Sequence, residues 1–326
     1  MTEGEDQAAG LRRANDSQTA LLPRGLRIVA VSSGKGGVGK TMTSIGLAFS
    51  LARAQRRTLL IDGDVGMANV DIQLGIDPET TLQDVVFGNR TLAEAIVTVE
   101  PGLDVLPSPC GAPEMADLGR ARQRQFVDQL TAFAGGYDFL IIDVGAGIGQ
   151  NVLSFLATAP ETLVVVANEP TSIMDAYAVV KALRRLPEPP HISLVVNMVR
   201  DLAEGDALAG RLNGIVKRFL GVELPLAGTI VFDEQARAAI RARKPVMNYA
   251  PRSPSALCLA ELGRSVAHRK PGAARPPRAD AGLFESLADM KLASFKKTDA
   301  PAAPPAAGGN AATQPETPSQ TEREQP

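Results

Sequence analysis

Runs rich in Val, Ile and Leu recur from residue 27 to residue 231. Seven of them read as strands: residues 27–32, 58–62, 103–106, 137–143, 162–168, 192–197 and 226–231. Runs such as TLVVVAN and ISLVVNM carry almost no polar alternation, which suits strands buried on both faces. Longer stretches with helical spacing fall between most of them, including 42–53, 113–133, 171–186 and 202–219. This alternation predicts an α/β fold, a mostly parallel sheet flanked by helices on both faces. No internal repeat is visible.

The same pattern sets the expected boundaries. Residues 1–24 are polar and small and read as a flexible arm, and 25–268 as one folded domain. Residues 269–281, rich in Pro, Ala and Arg, read as a linker. Residues 282–297 are apolar again. At helical spacing Leu283, Phe284, Leu287, Ala288, Met290, Leu292 and Phe295 share one broad face, with Lys296 and Lys297 on the opposite side. That face suits an anionic membrane surface, with docking on the core or on a partner as the alternative. Residues 298–326 hold too few large apolar side chains to fold.

Composition narrows the classes. A net charge of −2 and the lack of a dedicated basic segment argue against specific nucleic-acid binding. Cys110 and Cys258 lie far apart with no C-x-x-C, so reduced thiols in cytosol are expected rather than a disulfide, zinc or iron–sulfur framework. The opening MTEGEDQAAG has no apolar core of a secretory leader, and no run approaches a membrane span, so a cytoplasmic protein is expected.

The chemistry centres on GKGGVGKT, from Gly34 to Thr41, directly after the first strand and before the first helix. This is the context of a phosphate-binding P-loop. Gly36, Gly37 and Gly39 let backbone N–H groups face phosphate oxygens, with Val38 and Met42 completing the loop and first turn. Lys40 is placed to reach the β- and γ-phosphates, and the Thr41 hydroxyl to ligate Mg2+. Lys35 is a second lysine that a plain P-loop does not need.

Asp62 and Asp64 close the second strand in DGDVGMANVD, at the end where open α/β sheets bind ligands. We assign Asp64 to the attacking water and Asp62 to the Mg2+ shell; capping of the next turn is the structural alternative. Asp143 ends the apolar strand of YDFLIIDVGAGIG and is placed to hold Mg2+ through a water. Asn197 ends a later strand, where an amide can read a purine edge or satisfy a turn. Asn197 is followed by Met198, Val199 and Arg200, so no N-K-x-D guanine motif is present and adenine is favoured. ATP with Mg2+ is the expected ligand pair.

SSGKGGVGKT, DGDVGMANVDIQLG, DVGAGI, EPTSIMDAYAVVK, LVVNMVRD and KRFLGVELPLAGTI together resemble the FlhG (YlxH, FleN) branch of the MinD/ParA deviant Walker A ATPases, over about residues 25–262. The resemblance implies an ATPase whose ATP-bound form is a face-to-face homodimer, with Lys35 crossing to the partner's nucleotide. It implies a role in flagellar number and placement. Residues 6–12, DQAAGLR, resemble the branch's N-terminal motif, which implies contact with an FlhF-type signal-recognition GTPase. A flagellar transcription activator, the flagellar switch complex and the inner face of the membrane are the other expected partners. Gly63, Val65, Val144 and Val231 depart from the family pattern. MinD-like division-site placement and a nucleotide-gated, non-catalytic regulator remain the alternatives.

Overall fold

The computed structural model describes residues 25–269 apart from 65–66, 110–128 and 131–132. The N-terminal motif, Cys110, the 282–297 segment and most of the expected 113–133 helix lie outside the described residues.

One eight-stranded sheet runs in the order β3-β4-β2-β5-β1-β6-β7-β8. Its strands are β1 (Arg27–Ser33), β2 (Thr58–Gly63), β3 (Val97–Glu100), β4 (Leu103–Leu106), β5 (Phe139–Ala146), β6 (Glu161–Ala167), β7 (His191–Val199) and β8 (Leu226–Val231). Every pairing is parallel except β3 with β4. All seven expected strands are present. The additional one, β3, is a four-residue edge hairpin partner whose VTVE is only half-buried, so it carries no continuous apolar run to betray it.

Ten helices are defined among the described residues: α1 (Lys40–Arg53), α2 (Val70–Leu74), α3 (Leu82–Val86), α4 (Leu92–Ala95), α5 (Gln150–Thr158), α6 (Pro170–Leu183), α7 (Leu202–Leu220), α8 (Glu234–Arg241), α9 (Val246–Tyr249) and α10 (Pro254–His268). Alternate strand residues face opposite sides. Val29, Val31 and Val165 pack with Leu47, Phe49 and Leu51 of α1 and with Leu259 and Leu262 of α10. Helices α5, α6 and α7 pack on β5, β6 and β7. Both faces are therefore covered, which is why the central strands need no polar alternation.

Local chemistry fixes the ends. Asp201 caps α7 by accepting from the Glu204 N–H, and Gly221 ends it in the left-handed region at φ 68°. Ser253 caps α10, with Pro254 in its first turn. Strand β1 lies between β5 and β6, so the connection from β5 to β6 crosses it and a crevice lies at the C-terminal ends of β1, β2 and β5.

Candidate active site

The loop from Gly34 to Gly39 joins β1 to α1 and sits in that crevice. Gly37 and Gly39 hold φ +81° and +83°, where a side chain is strained. Gly34 is demanded by a neighbour instead: a Cβ there would lie 2.2 Å from the Asp175 carbonyl carbon and 2.6 Å from the Ala176 nitrogen of α6. A Cβ at Gly36 would meet nothing within 4 Å. The loop thus rests on α6 at its start and is exposed at its tip.

Its far end rests on β7. Asn197, 1% exposed, donates from Nδ2 to the Val38 carbonyl at 2.8 Å. Its Oδ1 accepts the Met198 N–H at 2.9 Å, and a Cβ on Gly39 would fall 2.2 Å from Nδ2. The contacts that the structure gives the Asn197 amide are with the phosphate loop and its own strand. The bond to the Val38 carbonyl ties the phosphate loop to β7.

Lys40, buried, opens α1 and directs Nζ onto Asp143 Oδ1 at 2.9 Å and toward Asp64 Oδ2 at 3.7 Å. Ser44 Oγ donates to the same Asp143 oxygen at 2.7 Å. Asp62 and Asp143 stand side by side in the β2–β5 register. Asp62 is fully buried, and its carboxylate accepts the N–H groups of Asp64, Asn69 and Val70, each at 3.1 Å. Burial, with the Asp143 charge second, pushes the Asp62 carboxyl up to about 7, against those backbone bonds and Lys40. Of the two uses weighed for Asp62, its contacts are those of a cap: it gathers the loop that carries Asp64 and starts α2. Asp64 keeps a side chain 18% exposed and lies beside Gly145, where a Cβ would come within 3.2 Å of Oδ1.

These groups fit a nucleoside triphosphate with a hard divalent cation. Glycine backbone and one buried ammonium form the phosphate cradle, while Thr41 and Asp143 offer the oxygen ligands that Mg2+ favours. Thr41, partly exposed, makes no side-chain hydrogen bond among the described residues. Asp64 is the carboxylate open enough to orient a water.

Lys35 stands apart from this cluster. Its Nζ bonds Glu169 Oε2 at 2.5 Å and Thr171 Oγ1 at 3.3 Å, with side chains of Lys35 and Glu169 39% and 56% exposed. The early lysine therefore points across the surface to the start of α6 and not over its own loop. Glu169, Thr171 and Ser44 were not foreseen as site residues. Glu169 and Thr171 lie in the EPTSIMDAYA stretch, but no local spacing links them to a lysine 134 residues earlier.

Strand, glycine loop, buried lysine and paired strand-end aspartates define a P-loop nucleoside-triphosphatase. A family model described as an AAA domain matches residues 26–194. The chain is 37% identical over 241 residues to the antiactivator FleN of Pseudomonas aeruginosa, covering 74% of this chain and 86% of the relative. It is 32% identical over 227 residues to the flagellum site-determining protein YlxH of Helicobacter pylori, covering 69% and 76%. Among solved structures, the septum site-determining protein MinD complexed with Mg-ADP from Pyrococcus horikoshii superposes with a TM-score of 0.62 at 26% identity, over 74% of this chain and 96% of that one. The chain belongs to the FlhG/FleN branch of the MinD/ParA-type ATPases. It is a P-loop ATPase of a family whose members bind nucleotide with Mg2+. No helix among the described residues is long and apolar enough to cross a membrane.

Proposed function

We propose that this protein is an ATP-dependent dimerising switch that sets the number and placement of flagella. The observation that carries the reading is Lys35. A second loop lysine that rests on an exposed ion pair, away from its own cradle, is available to a neighbouring subunit's phosphates. Lys40 and the Gly34–Thr41 backbone hold the triphosphate. Thr41 and Asp143 hold Mg2+, which when bound neutralises charge on the β- and γ-oxygens. Asp64 orients the attacking water. Asp62 serves the metal shell from behind, by fixing the loop on which Asp64 stands.

The flagellar assignment is supported by the likeness to the flagellum site-determining protein YlxH. In this reading residues 6–12 act on an FlhF-type GTPase, and residues 282–297 return the dimer to the inner face of the membrane, with residues 269–281 as the tether. A flagellar transcription activator or the switch complex reads the nucleotide state. The second reading, placement of the division site, is favoured by the likeness to MinD structures.

Chromosomal Lys40→Ala and Asp64→Ala strains separate these. The first protein cannot hold nucleotide and should match a deletion in flagellar number. The second should hold ATP without turning it over and give the opposite disturbance. Normal flagellation with altered cell length in both strains would overturn the flagellar reading.

A further inference from the structure

Asp143 receives both of its side-chain hydrogen bonds on one oxygen. Lys40 Nζ lies 2.9 Å from Oδ1 and Ser44 Oγ 2.7 Å from the same atom. Among the described residues no side-chain donor reaches Oδ2. Oδ1 is thus anchored twice, and Oδ2 is the oxygen left to accept from what the crevice holds.

Lys40 is shared in this arrangement, between Asp143 and Asp64. Its ammonium is the cation of the phosphate cradle, so with nucleotide in place it is drawn from Asp143 toward phosphate oxygens. Ser44 is then the donor that stays. It is a full helical turn beyond Lys40 on α1, has no solvent exposure, and its position is fixed by the helix rather than by the ligand.

Buried serines in helices commonly bond the carbonyl four residues back, and Ser44 also lies 3.1 Å from the Lys40 carbonyl. Two neighbours on the helix make the same bond, Thr43 with no other side-chain partner among the described residues. Thr43 bonds the Gly39 carbonyl, and Ser50 bonds the carbonyls of Gly46 and Leu259. A hydroxyl has one proton, and in Ser44 the shorter contact is the charged one, which is also the stronger type.

We propose that Ser44 is a positioning residue for the metal site: it holds Oδ1 of Asp143 so that Oδ2 faces the Mg2+ water shell once Lys40 has turned to the phosphates. The inference rests on the Mg-nucleotide reading given above. It assigns Ser44 no contact with nucleotide.

The test is the affinity for ADP measured by displacement of a fluorescent nucleotide, once with Mg2+ and once with the metal chelated. Wild-type protein should bind ADP more tightly with Mg2+. Ser44→Ala should lose about 10- to 100-fold of that metal-dependent gain, the scale of one hydrogen bond to a charged group, while its affinity in chelator stays at the wild-type value. Ser50→Ala, which removes a buried hydroxyl from the same helix without touching the site, should keep the whole gain. The apparent Mg2+ requirement should rise in Ser44→Ala only. A full metal-dependent gain in Ser44→Ala overturns the inference, and so does an equal loss with and without metal, which would make Ser44 a support of the helix. A wild-type protein with no metal-dependent gain would overturn the underlying reading as well.

Discussion

Asn197→Ala separates two jobs that one side chain could have. In the structure the amide is buried, donates to the Val38 carbonyl at 2.8 Å and accepts the Met198 N–H at 2.9 Å. Truncation leaves a carbonyl of the phosphate loop and a strand N–H without these partners. Orphaning a buried polar group costs about 1–3 kcal/mol. The loop end at Gly39 also loses the surface it rests on, since Nδ2 occupies the space a Cβ there would need. If the loss falls on the phosphate-binding conformation, affinity drops about 5- to 150-fold. The assay is competitive displacement by ATP, GTP and inorganic triphosphate. Because the amide works through the loop, all three ligands should weaken by a similar factor, including the one that has no base. If triphosphate binds as before while ATP loses its advantage over GTP, Asn197 reads the base and the loop-tether account is wrong.

Gly34→Ala should lower the urea midpoint, with a loss of about 1–3 kcal/mol, because the new methyl meets the backbone of α6 and neither side can yield cheaply. Gly36→Ala, which faces open space, should leave that midpoint within experimental error. Asp62 supplies a pH dependence. Its carboxyl is pushed up from 3.8 to about 7, so the fold favours the protonated form. Its contribution to stability is complete below the unfolded value and is lost as pH rises toward 7. From pH 5 to pH 7 that is two units at 1.36 kcal/mol, or about 2–3 kcal/mol. Asp62→Asn does not titrate, so denaturation curves of the two proteins should converge or cross by about that amount between pH 5 and pH 8. A difference that is constant with pH would remove the buried-carboxylate argument.

The parts of this fold that were legible in the sequence are those written in contiguous residues. A strand buried on both faces must be an unbroken apolar run, so β1, β5, β6 and β7 announce themselves. A phosphate loop must be glycine-rich at fixed spacing, so Lys40, Thr41 and their glycines are found without coordinates. Asp143 follows from the apolar run before it inside β5, and Asp64 from its place just past β2. What was missed depends on short elements or on tertiary approach. The four-residue β3 and helices such as α2 and α4 are too brief to show a period. Lys35 meets Glu169, Ser44 meets Asp143 and Asn197 slides beneath Val38 only because the sheet order brings β1, β5, β6 and β7 together. The three backbone bonds of Asp62 are likewise closed by a loop that the sequence leaves undefined.

The central claim is that Lys35 serves a second subunit's nucleotide while Lys40 serves its own. The direct measurement is molar mass by light scattering with ATP and Mg2+, on Asp64→Ala protein to block turnover and on Asp64→Ala combined with Lys35→Ala. Both should retain ATP, since neither change touches the cradle. The account predicts a dimer for the first and a monomer for the second. A double variant that still dimerises fully, or an Asp64→Ala protein that holds ATP and stays monomeric, would contradict it.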